Sequence, residues 1–444
     1  MQWHWTMLKR LLAALQHTAA WIARHELWPT GIGVLLATAS LRFAPWGLAL
    51  LALLWFIRRL GGGRWSVSTP VDWPVGVLLV MGGISWLITG DRNATALALS
   101  RLLAGLALMY GIVNWATTST RLLLLLWGGT LSAVLLALAT PMAISWQNLA
   151  YLSVVYDRIP HLKNLLNPNM MAGALVMLLP FSLAGGLLLL RQRLSTLPSA
   201  CFSRVMVKAL QLWRAIGMPV TLLVGGALFF TQSRGAWLAT GGVILVIGVG
   251  FSPFFLSVLF LPLLAGGWLV WRGQWAGFLD ALGTGGGIAG WDQRVEIWSR
   301  ALYMLQDFPF TGTGANTYPL LVNILYPLFI VSPTTVIPHA HNLYLQVGID
   351  LGLPGLIAFL SILLLVFFLA VRGVRVCADD PVRRVAVWAG MASLIAMMIH
   401  GMIDATTWIV GWGAPLPWLI FGLLMAAVLH ADAPEAEFED RVPE

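Results

Sequence analysis

The chain has 444 residues, of which 59% are hydrophobic and only 10% charged, and its mean hydropathy is +0.83. A soluble domain carries about 25% charged residues, so lipid rather than water is the main solvent here. The formal charge of +8 does not read as a nucleic-acid surface, because the basic residues stand in short clusters between apolar runs, as they do in the cytoplasmic loops of membrane proteins.

At the N-terminus, Lys9, Arg10 and Arg24 lie among Leu and Trp, a pattern that predicts an interfacial helix ahead of the first span and no cleavable signal sequence. Apolar segments follow near 27–41, 44–58, 74–90, 93–116, 121–141, 168–190, 216–232, 235–251, 253–271, 341–371, 385–408 and 411–430. The expectation is an all-α polytopic membrane protein of about 12 transmembrane helices. Its parts are 1–271 with the N-terminal helix and spans one to nine, a large loop over 272–340, spans ten to twelve over 341–430, and an acidic tail over 431–444, expected to be disordered. The 23 tryptophans suit the headgroup level of a bilayer. Two isolated cysteines, Cys201 and Cys377, make neither a disulfide framework nor a metal site.

Orientation follows from charge. The basic loops Arg58–Arg64, Arg191–Arg214 and Arg372–Arg384 fall on one side of alternating spans, which predicts that side, with both termini, to be cytoplasmic. Residues 142–167 and 272–340 then lie outside. Within the second, WDQRVEIWSRALYMLQ at 291–306 has helical apolar spacing and is expected along the outer membrane surface.

Basic residues on the outer side stand against the charge rule and are candidates for a ligand. They include Arg158 and Lys163 in the first outer loop, Arg234 in TQSRGAW, and Arg294 in the second loop. An arginine fork suits phosphate oxygens. Arg234 could instead snorkel to the interface, and Arg294 could pair locally with Asp292 or Glu296. In PHAHNLYLQVGIDLGLPGL (Pro338–Leu356), a helix carrying His341 would align it with Gly348 and Gly352 on one face, with Asp350 roughly opposite and a break at Pro354–Gly355. A histidine at this mouth can serve as a general base or bond a carbonyl. His339 and His341 form an H-x-H pair, but no third ligand has compelling spacing, so no metal is expected. His400 and Asp404 stand at i and i+4 on the eleventh span. A transporter of anionic solutes or lipids would need ionisable groups at mid-depth, for which Arg101 and Asp350 are the only seeds.

These pieces together resemble the O-antigen ligase and polymerase superfamily of membrane glycosyltransferases. The carriers are NPNMMAGALVMLLP (Asn167–Pro180), SRGAWLA (Ser233–Ala239), GWDQRVEIWSRALYMLQDFPFTGTGANTY (Gly290–Tyr318), HAHNLYLQVGIDLGLPG (His339–Gly355) and HGMID (His400–Asp404). The ligase-type signature, His then Asn, nine residues and Gly, is met by His341, Asn342 and Gly352. The resemblance implies a GT-C type helical fold in a bacterial inner membrane and an inverting, metal-independent transfer on the periplasmic face, without cofactor. The implied donor is a glycan on undecaprenyl pyrophosphate and the implied acceptor a hydroxyl of lipid A–core. His341 is then the base; Arg234 and Arg294, with Arg158 and Lys163, face the pyrophosphate; His339, Asn342, His400 and Asp404 support the site. A polymerase, taking a second lipid-linked glycan as acceptor, remains the alternative.

Overall fold

The computed structural model describes residues 2–144, 166–197, 202–274, 291–332, 335–409 and 411–431. Among them the regular structure is entirely helical. In chain order the helices are α1 (Gln2–Arg24), α2 (Leu27–Ala39), α3 (Ala44–Gly62), α4 (Asp72–Ile88), α5 (Arg92–Trp115), α6 (Ser119–Ala139), α7 (Pro168–Leu188), α8 (Arg204–Phe230), α9 (Arg234–Phe251), α10 (Phe260–Trp271), α11 (Trp291–Asp307), α12 (Tyr318–Leu325), α13 (Leu343–Val376), α14 (Pro381–Gly401) and α15 (Leu416–Leu429).

All twelve expected apolar segments are helical, but not all are long enough to cross a bilayer alone. Eight helices among the described residues have the length and composition of a span. Helices α2, α4 and α15 are shorter. At 1.5 Å per residue they run roughly 20–26 Å, less than the ~30 Å hydrocarbon core. The segment at 253–271 divides into a 3-10 run, Pro253–Leu259, and the 12-residue α10. Two boundaries differ most from expectation. Helix α8 starts at Arg204, where Ser203 caps it by accepting from the Met206 N–H, so part of the basic loop is helical. Helix α14 stops at Gly401 rather than near 408.

Hydrogen bonds sort the helix ends into two groups. At one end Arg58 pairs with Glu26 at 2.7 Å and Trp115 Nε1 donates to the Arg24 carbonyl. Arg383 donates to the carbonyls of Thr117 and Ala427, Arg384 to that of Gly250 and Arg191 to that of Phe251. Members of all three basic loops therefore share one end of the bundle. The start of α9, the end of α14 and the segment leading into α13 meet at the other end, as detailed below. Between them α7 is buried nearly all round, as expected of a helix apolar on every face.

Over that second end sits a smaller core. Ile297, Ala301 and Met304 of α11 pack with Tyr318 and Val322 of α12, Ile337, Ala340 and Ile349. The amphipathic stretch at 291–306 is a helix as expected, and its buried residues Ile297, Ala301 and Met304 pack toward the mouth of α13. Glu296 holds this cap together: its carboxylate accepts from the backbone N–H groups of Phe329, Ile330 and Val331. Burial alone would raise its pKa, yet these three donors and Arg300 bring it below the usual value.

Candidate active site

The site is built around the entry to α13. Asn342 caps that helix, its Oδ1 accepting from the N–H groups of Tyr344 and Leu345 at 3.0 Å each. Its Nδ2 donates to the Met402 carbonyl at 3.0 Å, which ties the start of α13 to the segment leaving α14. His341 therefore stands before the helix, in a left-handed conformation with φ +47°, and not on the helical face shared by Gly348 and Gly352 that sequence spacing predicts. The N-cap residue has extended backbone, φ −156°, so the helical register does not extend back to His341.

Gly352 has a different task from the one expected. The helix breaks there, two residues before Pro354, with φ +68° and ψ −179°, a conformation essentially confined to glycine. A Cβ on Gly352 would lie 2.7 Å from the Phe310 carbonyl carbon. Leu353 N–H donates to the Pro309 carbonyl and Thr313 N–H to that of Ile349, both at 2.7 Å. The DFPFTGTG segment thus straps the break, and Gly312, also at φ +68°, lies backbone to backbone against it.

Around His341 the structure gathers most of the expected residues. Asp404 lies past the end of α14, so it and His400 do not share a helical face. A turn after Gly401, with the Asp404 N–H bonded to the His400 carbonyl at 3.0 Å, carries the carboxylate to the two histidines of HAH. Its Oδ1 is 3.8 Å from His339 Nε2 and its Oδ2 is 3.9 Å from His341 Nδ1. Thr406 N–H donates to Oδ1 at 3.0 Å. Burial opposes ionisation of Asp404, but the imidazoles of His341, His339 and His400 around it hold its carboxyl well below the usual range. His339 is buried, and burial, joined by His341 and Arg294 against the pull of Asp404, pushes it down to about 4. It is neutral at pH 7.

Arg294 reaches this group from α11. It does not pair with Asp292 or Glu296; its Nη1 donates to the Ile403 carbonyl at 2.9 Å, next to Asp404, while its buried Nε has no partner among the described residues. Burial lowers its pKa, Asp404 raises it, and the Arg234 charge lowers it again; a Cβ on Gly235, next to Arg234, would lie 2.9 Å from the Ile403 side chain, so both arginines stand beside the segment that leads to Asp404. Arg234 opens α9 after the left-handed turn at Gln232 and is half-buried. Beside it Phe229 and Trp237 stack at 5.5 Å. His400 fits between α7 and α9: a Cβ on Gly173 would come within 3.2 Å of its ring, and one on Gly235 within 3.5 Å. Those two glycines explain part of the NPNMMAGA and SRGAW motifs. Arg158 and Lys163 lie outside the described residues, as do Cys201 and the tail at 432–444.

Three donors that sequence spacing does not assemble, His339, His341 and Asp404, lie within 4.8 Å of one another. The tautomer argues against a chelate. His339 Nδ1 faces the N–H of His341 at 3.2 Å and must offer it a lone pair. A neutral ring then carries its proton on Nε2, the atom facing Asp404, where a metal would need a lone pair.

Sequence reasoning missed a supporting chain. Ala340 N–H donates to Gln346 Oε1 at 2.8 Å, and Gln346 Nε2 donates to Asp350 Oδ1 at 3.0 Å. The same carboxylate accepts from Asn316 N–H and Trp408 Nε1, each at 3.0 Å. Asp350 thus joins the HAH loop, the FTGTG strap and the segment after Asp404. Gln346 and Asp350, polar at i and i+4 inside an apolar helix, were the available signal. Arg101 likewise donates to the carbonyls of Thr38 and Ile409, so both seeds of a transport path are engaged in packing.

Residues 219–360 match a family model described as O-antigen ligase, and this match supports the superfamily resemblance carried by the motifs. The matched stretch contains Arg234, Arg294, His339, His341, Asn342 and Gly352, while His400 and Asp404 lie beyond it. No curated protein matches the chain.

Proposed function

We propose that this chain is an O-antigen ligase, transferring a glycan from undecaprenyl pyrophosphate to a hydroxyl of lipid A–core at the membrane face opposite its basic loops. The observation that carries the reading is one cluster, in which a histidine–carboxylate pair and two guanidiniums meet at that end of the bundle. The match over 219–360 supports a membrane glycosyltransferase of the ligase or polymerase kind. The spacing of His341, Asn342 and Gly352 favours ligase. By the charge rule the basic end is cytoplasmic and the site periplasmic, in the bacterial inner membrane.

In this reading the acceptor hydroxyl gives its proton to the His341 imidazole as its oxygen attacks the anomeric carbon. The new C–O bond forms as the bond from that carbon to the pyrophosphate oxygen breaks, with inversion. The electron pair leaves on the pyrophosphate, whose charge Arg294 and Arg234 offset; Arg158 and Lys163 are proposed to add to this. Asp404 stabilises the imidazolium that forms. Arg294 is held by the Ile403 carbonyl, so its charge is in place before substrate arrives and no reorganisation is needed during the step.

Purified protein in vesicles, given an undecaprenyl-pyrophosphate-linked oligosaccharide and both acceptors, tests this. Product on lipid A–core supports the ligase, elongated lipid-linked glycan means polymerase, and vectorial uptake without transfer means a transporter. His341→Ala abolishes transfer while the protein remains folded and inserted; retained transfer removes the base.

A further inference from the structure

The mechanism above needs a His341 ring that stays aimed at Asp404 although its backbone is in an uncommon conformation. Three bonds bracket that backbone. The Ala340 N–H is held by Gln346 Oε1 at 2.8 Å. The His341 carbonyl accepts from Trp298 Nε1 at 3.3 Å. The His341 N–H points to His339 Nδ1 at 3.2 Å. The last is a contact from side chain i to the N–H of i+2, the arrangement by which Asn and Asp side chains build turns. His339 is itself only 3% exposed, and its ring lies 4.3 Å from that of His341.

Resting on the transferase reading, we propose that His339 is a positioning residue. Its Nδ1 accepts the N–H of His341, fixes the left-handed turn that aims the base, and leaves the Nε2 proton directed at Asp404 Oδ1. The groups facing the ring are Asp404, His341, His400 and Arg294. Burial and the Arg294 charge keep it neutral, the only state in which Nδ1 can accept. The H-x-H doublet thereby divides its labour. One histidine moves the proton, and the other, two residues earlier, holds its backbone.

The substitutions separate the two ring nitrogens. His339→Asn puts an acceptor at the Nδ1 position and nothing at Nε2; His339→Gln carries an amide toward the Nε2 position; His339→Phe keeps volume and loses both. The expected order of kcat is wild type, then Asn within about threefold, then Gln and Phe roughly 10- to 100-fold down, the range over which positioning partners act. KM for the lipid-linked oligosaccharide and the melting midpoint of the Asn and Gln variants stay near wild type. Unchanged kcat in His339→Phe overturns the role, as does an Asn variant no better than Gln. If the Phe variant fails to fold, the Asn–Gln contrast alone decides. An activity-free measurement stands beside these: nitrogen-15 NMR of histidine-labelled protein at pH 7, with the His339 signals assigned by their loss in His339→Asn. A neutral ring protonated on Nε2 is expected, and one protonated on Nδ1 overturns the proposal. His341→Ala run in parallel reports on the base itself. Loss of transfer there with full activity in His339→Phe refutes the positioning role and leaves the transferase reading standing.

Discussion

Replacing Gly352 by alanine is the most searching perturbation of this architecture. At φ +68° and ψ −179° the backbone occupies a region that costs a side-chain-bearing residue about 1–3 kcal/mol. The new methyl also meets main-chain atoms, lying 2.7 Å from the carbon and 2.8 Å from the oxygen of the Phe310 carbonyl and 2.9 Å from the Pro309 oxygen. Main chain cannot rotate away, so the strap must move, at a further cost of about 1–3 kcal/mol for overpacking. The total, about 2–6 kcal/mol, falls on the joint that fixes the entry of α13 and hence His341. A displacement of about 1 Å there can cost a hundredfold in rate. Gly348→Ala is the matched control, because its Cβ would meet only the ends of leucine side chains, Leu305 at 3.3 Å and Leu356 at 3.6 Å, which can turn aside. Both variants are compared by melting midpoint in detergent and by glycan transfer. The expected result is a large loss in both for Gly352→Ala and little change for Gly348→Ala. A Gly352→Ala protein with wild-type melting and transfer refutes the strap as the reason for this glycine.

Arg294→Lys keeps the charge but loses the fork that the Ile403 carbonyl holds in place; if Arg294 offsets pyrophosphate charge as proposed, kcat falls about 10²- to 10³-fold, the scale of losing one preorganised donor, and steady-state transfer kinetics measure it. Asn342→Ala removes the cap of α13 and its tie to Met402, lowering stability by about 0.5–2 kcal/mol, seen as a lower melting midpoint. Glu296 has a depressed pKa in the folded state, so its contribution is present above about pH 4.5, the ordinary carboxylate value, and is lost as pH falls through the folded value. His339 is likewise depressed, to about 4; it binds its proton more readily when unfolded, so stability declines as pH falls from about 6.5 toward 4. Protection factors of the Phe329–Val331 amides, corrected for the intrinsic pH dependence of exchange, are expected to hold above about pH 4.5 and to fall as pH drops through the folded Glu296 value; unchanged protection there contradicts the Glu296 assignment, and a melting midpoint that does not fall between about pH 6.5 and 4 contradicts that of His339.

Much of the site was legible because its motifs are local. His341, Asn342 and Gly352 keep the ligase-type spacing within one stretch, and Pro354–Gly355 announces a break. What misled was treating 341–352 as one continuous helix, which put His341 and Gly352 on a common face. The cap at Asn342 and the strap from 309–313 cut that register at both ends. The pairing of Arg294 with a neighbouring acid failed for a similar reason. Proximity in sequence offered Asp292 and Glu296, but Glu296 had three backbone donors elsewhere in the fold to satisfy.

Hydropathy, charge asymmetry and motif spacing by themselves determined a helical membrane protein, the placing of its apolar segments, the grouping of its basic loops and a set of candidate residues, most of which the fold brings together. These are properties of single segments meeting lipid or water, and each is written in consecutive residues. Only the tertiary structure decided that Asp404 faces both histidines of HAH, that Arg234 and Arg294 share a site, and that Gln346, Asp350 and Trp408 brace it. Most of those contacts join segments tens of positions apart. They arise where helix ends converge on buried polar groups, and no local pattern encodes that convergence.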